Sequence, residues 1–275
     1  KSSDLTASKR IPDFRFMHIA IFQSACSGLS PAEKIERLNH YICEYSGDDH
    51  FDLDLVVCPE LFVTGYNVGD ELIEKAEPAR GASFSSMSKL CQKLDIALVY
   101  GYSEVYEDRL YNSAAFVNNE GELIGNHRKQ LNSPGSFEEK YFTPGSSSTI
   151  VEYGGFKISV LICYEIEFPE SARKAALSGA QLIVVPTALV SKWDVVASKI
   201  VPTRAFENGV WLAYANHAGE ENGLDYLGGS KIVGPDGAII ADAGKEEELI
   251  TVSINTDEIA EARNKLPYLR DLSKF

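Results

Sequence analysis

An α/β layered fold is the architecture this sequence predicts, and three observations predict it. Apolar runs of strand length alternate with stretches of helical periodicity from one end of the chain to the other. Several runs, such as 53–58, 156–162 and 181–185, are mostly apolar, as strands buried on both faces are. The chain has 275 residues, 44% of them hydrophobic, which is enough to bury a large core without disulfide staples.

Residues 17–23 open the pattern as an apolar strand. Ser30-Pro31-Ala32-Glu33 then reads as a capping box with proline at the first helical position, and Ile35, Leu38 and Ile42 follow at helical spacing. A second strand, 53–58, runs into Pro59-Glu60, and a helix at 84–94 leads to a strand at 96–105. Strands 111–117 and 122–125 flank Asn118-Asn119-Glu120-Gly121, which signals a hairpin. The second half repeats the style. Strand 156–162, helix 169–177, strand 181–185, helix 192–207 and strand 210–215 follow in order. A hairpin over 231–240 turns at Gly234-Pro235-Asp236-Gly237, 249–254 is a last strand, and Thr256 caps a helix reaching Lys265.

No linker-like segment divides the chain, so one large domain is expected. A formal net charge of -14 excludes a general nucleic-acid or anionic-membrane binder, because both partners would be repelled. The five cysteines are Cys26, Cys43, Cys58, Cys91 and Cys163, an odd and scattered set that suits a reducing, cytoplasmic setting. No C-x-x-C, H-E-x-x-H or Cys/His cluster suggests a metal, and no cofactor motif stands out. The apolar runs are far below membrane-spanning length. Residues 1–16 lack the apolar core of a signal peptide and are expected to be an N-terminal extension or cloning remnant.

Cys163 is the nucleophile candidate. It stands where a buried strand, ISVLIC, gives way to a turn and helix, YEIEFPE. At such corners side chains project outward and backbone N–H groups converge on one point. The plain alternative is a small apolar filler at a strand end. The other cysteines lack this context. Cys43 and Cys91 fall within helices, Cys26 lies in a loop, and Cys58 precedes Pro59, which has no N–H to offer an oxyanion. A thiol needs a base, and of the five histidines only His217 invites consideration. A better constellation is Glu60 in VVCPELFVTGY, Lys129 in GNHRKQL and Cys163, all at strand ends and able to meet on one edge of the sheets. Singly, each charged residue would more often be solvated surface.

The blocks PELFVTGY (59–66), HRKQL (127–131), FEEKYFTPG (137–145), LICYEIEFPE (161–170) and RAFENGVWLAYANHAG (204–219) resemble, in order and spacing, those of the nitrilase superfamily of carbon–nitrogen hydrolases. The resemblance covers about Met17 to Lys265. It implies a four-layer α-β-β-α sandwich, a single hydrolase domain over 17–275 with a C-terminal tail, and a homodimer or higher homo-oligomer. It also implies a Glu–Lys–Cys triad falling on Glu60, Lys129 and Cys163, with Glu138 rather than Glu139 as a supporting carboxylate. Two departures are mild: His127 stands where the family often has Tyr, and Glu165 where it often has Asp.

In these roles Glu60 is general base and then acid, and Lys129 with the backbone N–H of Tyr164 stabilises the oxyanion. Tyr66, Thr187 and Ala188 flank the expected site as oxyanion or substrate contacts, with Asn216 and Trp193 as further pocket residues. Asn112 either braces the site or touches substrate. The blocks look closest to short bacterial amidases acting on small aliphatic or amino-acid-derived amides. The expected partner is therefore a small-molecule amide. Glu165-Ile166-Glu167, with no arginine before Phe168, favours a neutral or cationic substrate over an N-carbamoyl acid or α-keto acid amide. A nitrilase or N-carbamoyl hydrolase with the same triad is the enzymatic alternative, and a catalytically silent scaffold is the alternative of another class.

Overall fold

The computed structural model describes residues 15–25, 27–46 and 53–275. Most of the expected extension 1–16, and Cys26, lie outside the described residues. Its last residue, Phe16, already belongs to the first strand, so that boundary moves by one.

Among the described residues, fourteen strands follow in chain order. They are β1 (Phe16–Gln23), β2 (Leu55–Val57), β3 (Ala97–Tyr106), β4 (Arg109–Val117), β5 (Leu123–Arg128), β6 (Thr149–Tyr153), β7 (Phe156–Val160), β8 (Leu182–Pro186), β9 (Trp211–Ala215), β10 (Glu220–Glu221), β11 (Leu224–Asp225), β12 (Lys231–Val233), β13 (Ile239–Asp242) and β14 (Glu248–Asn255). They form two six-stranded sheets, ordered β14-β1-β2-β3-β4-β5 and β13-β12-β9-β8-β7-β6, with β10 and β11 as a separate small hairpin. Each sheet has three parallel central strands, β1–β3 in one and β7–β9 in the other. Antiparallel strands flank each set.

Three apolar layers hold this arrangement. Between the sheets pack Ile19, Ile21, Val57, Val99 and Phe116 against Ile158, Val160, Val184 and Trp211. On the outer face of the first sheet, Leu38 and Ile42 of the helix Pro31–Ser46 and Met87 and Leu90 of the helix Ala82–Leu94 cover Val56 and Leu98. On the outer face of the second, Ala172 and Ala176 of the helix Pro169–Leu177 and Val201 and Ala205 of the helix Val201–Asn208 cover Ile183 and Leu212. The result is the α-β-β-α sandwich. It explains why the central strands read as mostly apolar runs, since most of their residues are buried on both faces.

Three local expectations change. The helix expected over 192–207 is broken into a 3-10 turn at Ser191–Trp193, a wide turn at Val196–Ile200 and the α-helix Val201–Asn208. Pro202 has no N–H to continue the regular ladder, and the Thr203 hydroxyl donates back to the Lys199 carbonyl at 2.7 Å. β6 is an additional edge strand, half-buried along most of its length. The last helix, Thr256–Lys265, is capped by Asn255 and not by Thr256: the Asn255 side chain accepts the Glu258 N–H at 2.9 Å. Removing that acceptor with Asn255→Ala is expected to lower unfolding free energy by about 1 kcal/mol in denaturant melts. Thr256→Ala should leave it almost unchanged.

Candidate active site

The C-terminal ends of both parallel sets meet at one edge of the sandwich. Beyond β1 and β9, Ser24 and His217 form a parallel bridge. Beyond β2 and β8, the Glu60 N–H donates to the Thr187 carbonyl at 3.3 Å. Strand ends of this kind are where open α/β sheets bind ligands. The residues singled out from the sequence collect here.

Glu60 is fully buried three residues beyond β2, and Leu61 after it turns through a φ of +49°. This turn presses on β3. A Cβ at Gly101 would lie 2.2 Å from the Leu61 nitrogen and 2.7 Å from the Pro59 carbonyl oxygen, so only glycine fits. His217 Nε2 donates to the Glu60 carbonyl at 2.7 Å. That histidine therefore holds the glutamate's backbone and does not serve the thiol. Burial lowers its pKa, against the pull of Glu221.

Lys129, 1% exposed, follows β5. Its backbone is clamped on both sides, donating to the Asn112 carbonyl at 2.8 Å and accepting from Gly145 N–H at 2.7 Å. Its ammonium donates to Glu60 Oε1 at 2.7 Å, to Glu138 Oε1 at 2.9 Å and to Ser133 Oγ at 3.2 Å, with Glu138 Oε2 also 2.7 Å away. Glu138 is buried at the start of a short helix and accepts the Tyr66 hydroxyl at 2.7 Å. Glu139 instead points to solvent and accepts the Gly135 N–H at 3.1 Å. Asn112 donates to Glu60 Oε1 at 2.7 Å, which makes it a brace. Glu60 Oε2 is left buried and without a partner among the described residues.

Cys163 follows β7 at a φ of +47°, a left-handed conformation that a non-glycine residue holds only under constraint. The turn Cys163–Glu167 carries it at the strand end, with the thiol 7% exposed. The Tyr164 N–H lies in the same turn, one residue beyond the thiol. Thr187 is fully buried, and its hydroxyl donates to the Tyr214 hydroxyl oxygen at 3.2 Å.

The electrostatics follow from burial. Desolvation raises the Glu60 carboxyl, Lys129 opposes it and Glu138 adds to it, leaving it pushed up to about 7. Desolvation acts on Lys129 in the other direction, yet Glu60 and Glu138 outweigh it and keep the ammonium charged. Glu138 is also desolvated, but Lys129, Tyr66 and Ser133 hold it below the usual carboxylate range. Burial and the Glu60 charge push the Cys163 thiol well up, with Lys129 opposing. At neutral pH the sulfur is therefore a thiol, in the field of a Glu60 carboxyl whose own pKa is pushed up to about 7.

An apolar wall of Leu61, Tyr66, Phe142, Ala188 and Tyr226, backed by Phe137 and Val190, lines this group. Two expected pocket residues sit differently. Asn216 uses its whole amide on backbone, accepting from Leu189 N–H at 2.8 Å and donating to the carbonyls of Leu189 and Gly228. Trp193 is 54% exposed and is not part of this wall. Sequence reasoning missed Glu221, which accepts Tyr66 N–H, Asn67 N–H and the Tyr226 hydroxyl and so fixes the loop that carries Tyr66. Nothing in GEENGL marks that glutamate, which reads as a turn acid. Among the described residues no group of three or more His, Cys, Asp and Glu side chains is arranged for a metal ion, and no helix is long and apolar enough to cross a membrane.

Comparison with known proteins agrees with this geometry. The carbon–nitrogen hydrolase family model matches residues 19–264. A hydrolase of Pseudomonas protegens is 37% identical over 268 residues, covering 96% of this chain and 92% of its own length. An (R)-stereoselective amidase of a Pseudomonas species is 32% identical, covering 93% and 91%. Among solved structures, a cysteine variant of a nitrilase-superfamily amidase from Nesterenkonia is 31% identical with a TM-score of 0.82, covering 94% of this chain and 95% of that one. A variant of that amidase carries the acetamide moiety of fluoroacetamide on its active-site cysteine, and its cysteine variant has been solved with butyramide.

The Gly101 contact gives a direct test of how the strand carries Glu60. Gly101→Ala is expected to lower the unfolding free energy by about 1–3 kcal/mol, the usual range for overpacking. A crystal structure of the variant should show the 59–61 backbone displaced away from β3.

Proposed function

The chain belongs to the carbon–nitrogen hydrolase family and is an amidase-like hydrolase of the nitrilase superfamily, and from that premise we propose that it hydrolyses a small, uncharged carboxamide through a Cys163 thioester. The observation that carries this reading is the Glu60 carboxyl. One oxygen is committed to Lys129 and Asn112, the other is buried and unpartnered, and the group titrates at about 7. A base placed beside a buried thiol, with a pKa near the working pH, suits proton transfer in both directions.

The steps follow from the residues. Glu60 Oε2 takes the thiol proton as sulfur attacks the amide carbon. The carbonyl oxygen becomes an oxyanion, met by the Lys129 charge and the Tyr164 N–H. The Lys129–Ser133 contact, at 3.2 Å the longest of the ammonium's set, is the one most easily redirected to that oxyanion. Glu60 then returns its proton to the leaving nitrogen, ammonia departs, and a thioester remains. Water, deprotonated by the same carboxylate, attacks the thioester; collapse expels the sulfur, which regains its proton from Glu60, and releases the acid. Glu138 stays ionised throughout, keeps Lys129 charged and holds Tyr66 at the pocket wall. The apolar lining of Tyr66, Ala188 and Tyr226 supports an aliphatic acyl group. The reducing, cytoplasmic setting and the homodimer expected from the sequence belong to this proposal as well.

Ammonia release from matched amide, nitrile and N-carbamoyl compounds tests the reaction, and the amide is expected to be the best substrate. Turnover of the nitrile alone would overturn the amidase reading. Cys163→Ala should abolish turnover, and Lys129→Met should lower kcat by roughly 10²–10³-fold, as loss of an oxyanion donor does. Intact mass after a short soak should show an acyl adduct on the wild type and none on Cys163→Ala. Absence of both adduct and turnover would support a silent scaffold.

The pH profile provides an independent check. Below about 7 the Glu60 carboxyl holds its proton and cannot accept another, so kcat/KM should fall on the acid side with a midpoint near there. Glu138→Gln removes a neighbouring negative charge that raises Glu60, so the midpoint should move to lower pH. An unmoved midpoint would mean that another group sets the acid limb.

A further inference from the structure

A second buried polar contact joins the two chain segments that carry the lysine and the thiol. His127, 1% exposed, lies two residues before Lys129, and Glu165, 2% exposed, lies two residues after Cys163. One carboxylate spans both segments. Glu165 Oε2 accepts the Ile162 N–H at 2.6 Å and faces His127 Nε2 at 2.8 Å, while Oε1 accepts the Gln130 N–H at 3.0 Å. Ile162 and Glu165 therefore bracket Cys163, and His127 and Gln130 bracket Lys129. The Glu165 N–H closes the turn by donating to the Ile162 carbonyl at 3.1 Å.

Arg204 holds the far end of the turn, its Nε and Nη2 donating to the Ile166 and Glu167 carbonyls at 3.0 and 2.6 Å, while Glu165 grips the end at Cys163, whose φ of +47° needs holding. The other ring nitrogen of His127, Nδ1, is buried without a partner among the described residues. An apolar side chain would fill that space without leaving a polar atom unmatched. The imidazole's one polar contact is the carboxylate, so orienting Glu165 is the task its chemistry performs.

We propose that Glu165, oriented by His127, is a positioning residue that sets the separation between the Lys129 ammonium and the Cys163 thiol without touching substrate. The proposal rests on the amidase reading of the site. Misplacement of a reacting group by about 1 Å can cost about 10²-fold in rate. The pair should therefore act on kcat and leave KM nearly untouched.

Glu165→Asp withdraws the carboxylate by one methylene, so it no longer reaches Ile162, Gln130 and His127 together. His127→Tyr carries its donor further from β5 and closes that gap. Each single variant is expected to lose roughly 30–100-fold in kcat with KM within about threefold of the wild type. The double variant should recover to within about tenfold, a coupling that independent sites do not show. A second readout is the rate at which iodoacetamide alkylates Cys163, mapped by peptide mass. Sulfur displaces iodide there and the thiol proton passes to Glu60, so no amide is hydrolysed. The single variants should alkylate more slowly and the double should recover. Unchanged kcat and alkylation, a loss confined to KM, or losses that simply add in the double would overturn the proposal. A wild type that hydrolyses no amide would sink the functional reading, and the alkylation rates would still decide this inference.

Discussion

The structure depends on one buried ammonium. Lys129 sits among two carboxylates with nothing exposed, a placement that costs several kcal/mol per ion unless every charge is matched. The match is made by segments far apart in sequence: Glu60 beyond β2, Glu138 before the TPG turn, and Asn112 and Ser133 beside them. Two carboxylates facing one cation leave an excess negative charge in a dry place. The site resolves it by keeping Glu138 ionised and letting Glu60 hold a proton up to about neutral pH. The base's poise is thus a consequence of charge balance around the lysine.

That cluster needs a rigid edge to stand on, and the two sheets supply it. Glu60 is anchored by β3 through Gly101, and also by the other sheet, through the Thr187 carbonyl and His217. Glu60 therefore comes from the first sheet while its backbone is gripped by the second, which carries Cys163. Glu221, Tyr226 and Tyr66 continue this cross-sheet stitching up the pocket wall.

Much of this was legible in the sequence because burial on both faces leaves a strong mark. The central strands were readable as mostly apolar runs, and the Ser30 capping box sits as expected, with Glu33 accepting the Ser30 N–H at 2.8 Å. β6 was not, because an edge strand with one wet face carries a weak pattern, and TIVEY reads as a loop with a few apolar residues. Asn255 and Thr256 are both good caps by type, so adjacent residues could not be ranked without the backbone. Glu60, Lys129, Cys163 and Glu138 were found through ordered blocks and strand-end position. Glu221, Gly101 and the His127–Glu165 contact were invisible, since each matters through a neighbour 35 or more residues away.

The buried thiol has a bearing on how the protein ages. Peroxide and other oxidants react with thiolate, and attack follows both thiolate fraction and access. Cys163 is 7% exposed, and its pKa is pushed well up, so the resting sulfur holds almost no thiolate at neutral pH. In the proposed mechanism, ionisation belongs to the encounter with a bound carbonyl, when Glu60 takes the proton. The same burial that keeps the sulfur a thiol also shields it from oxidants.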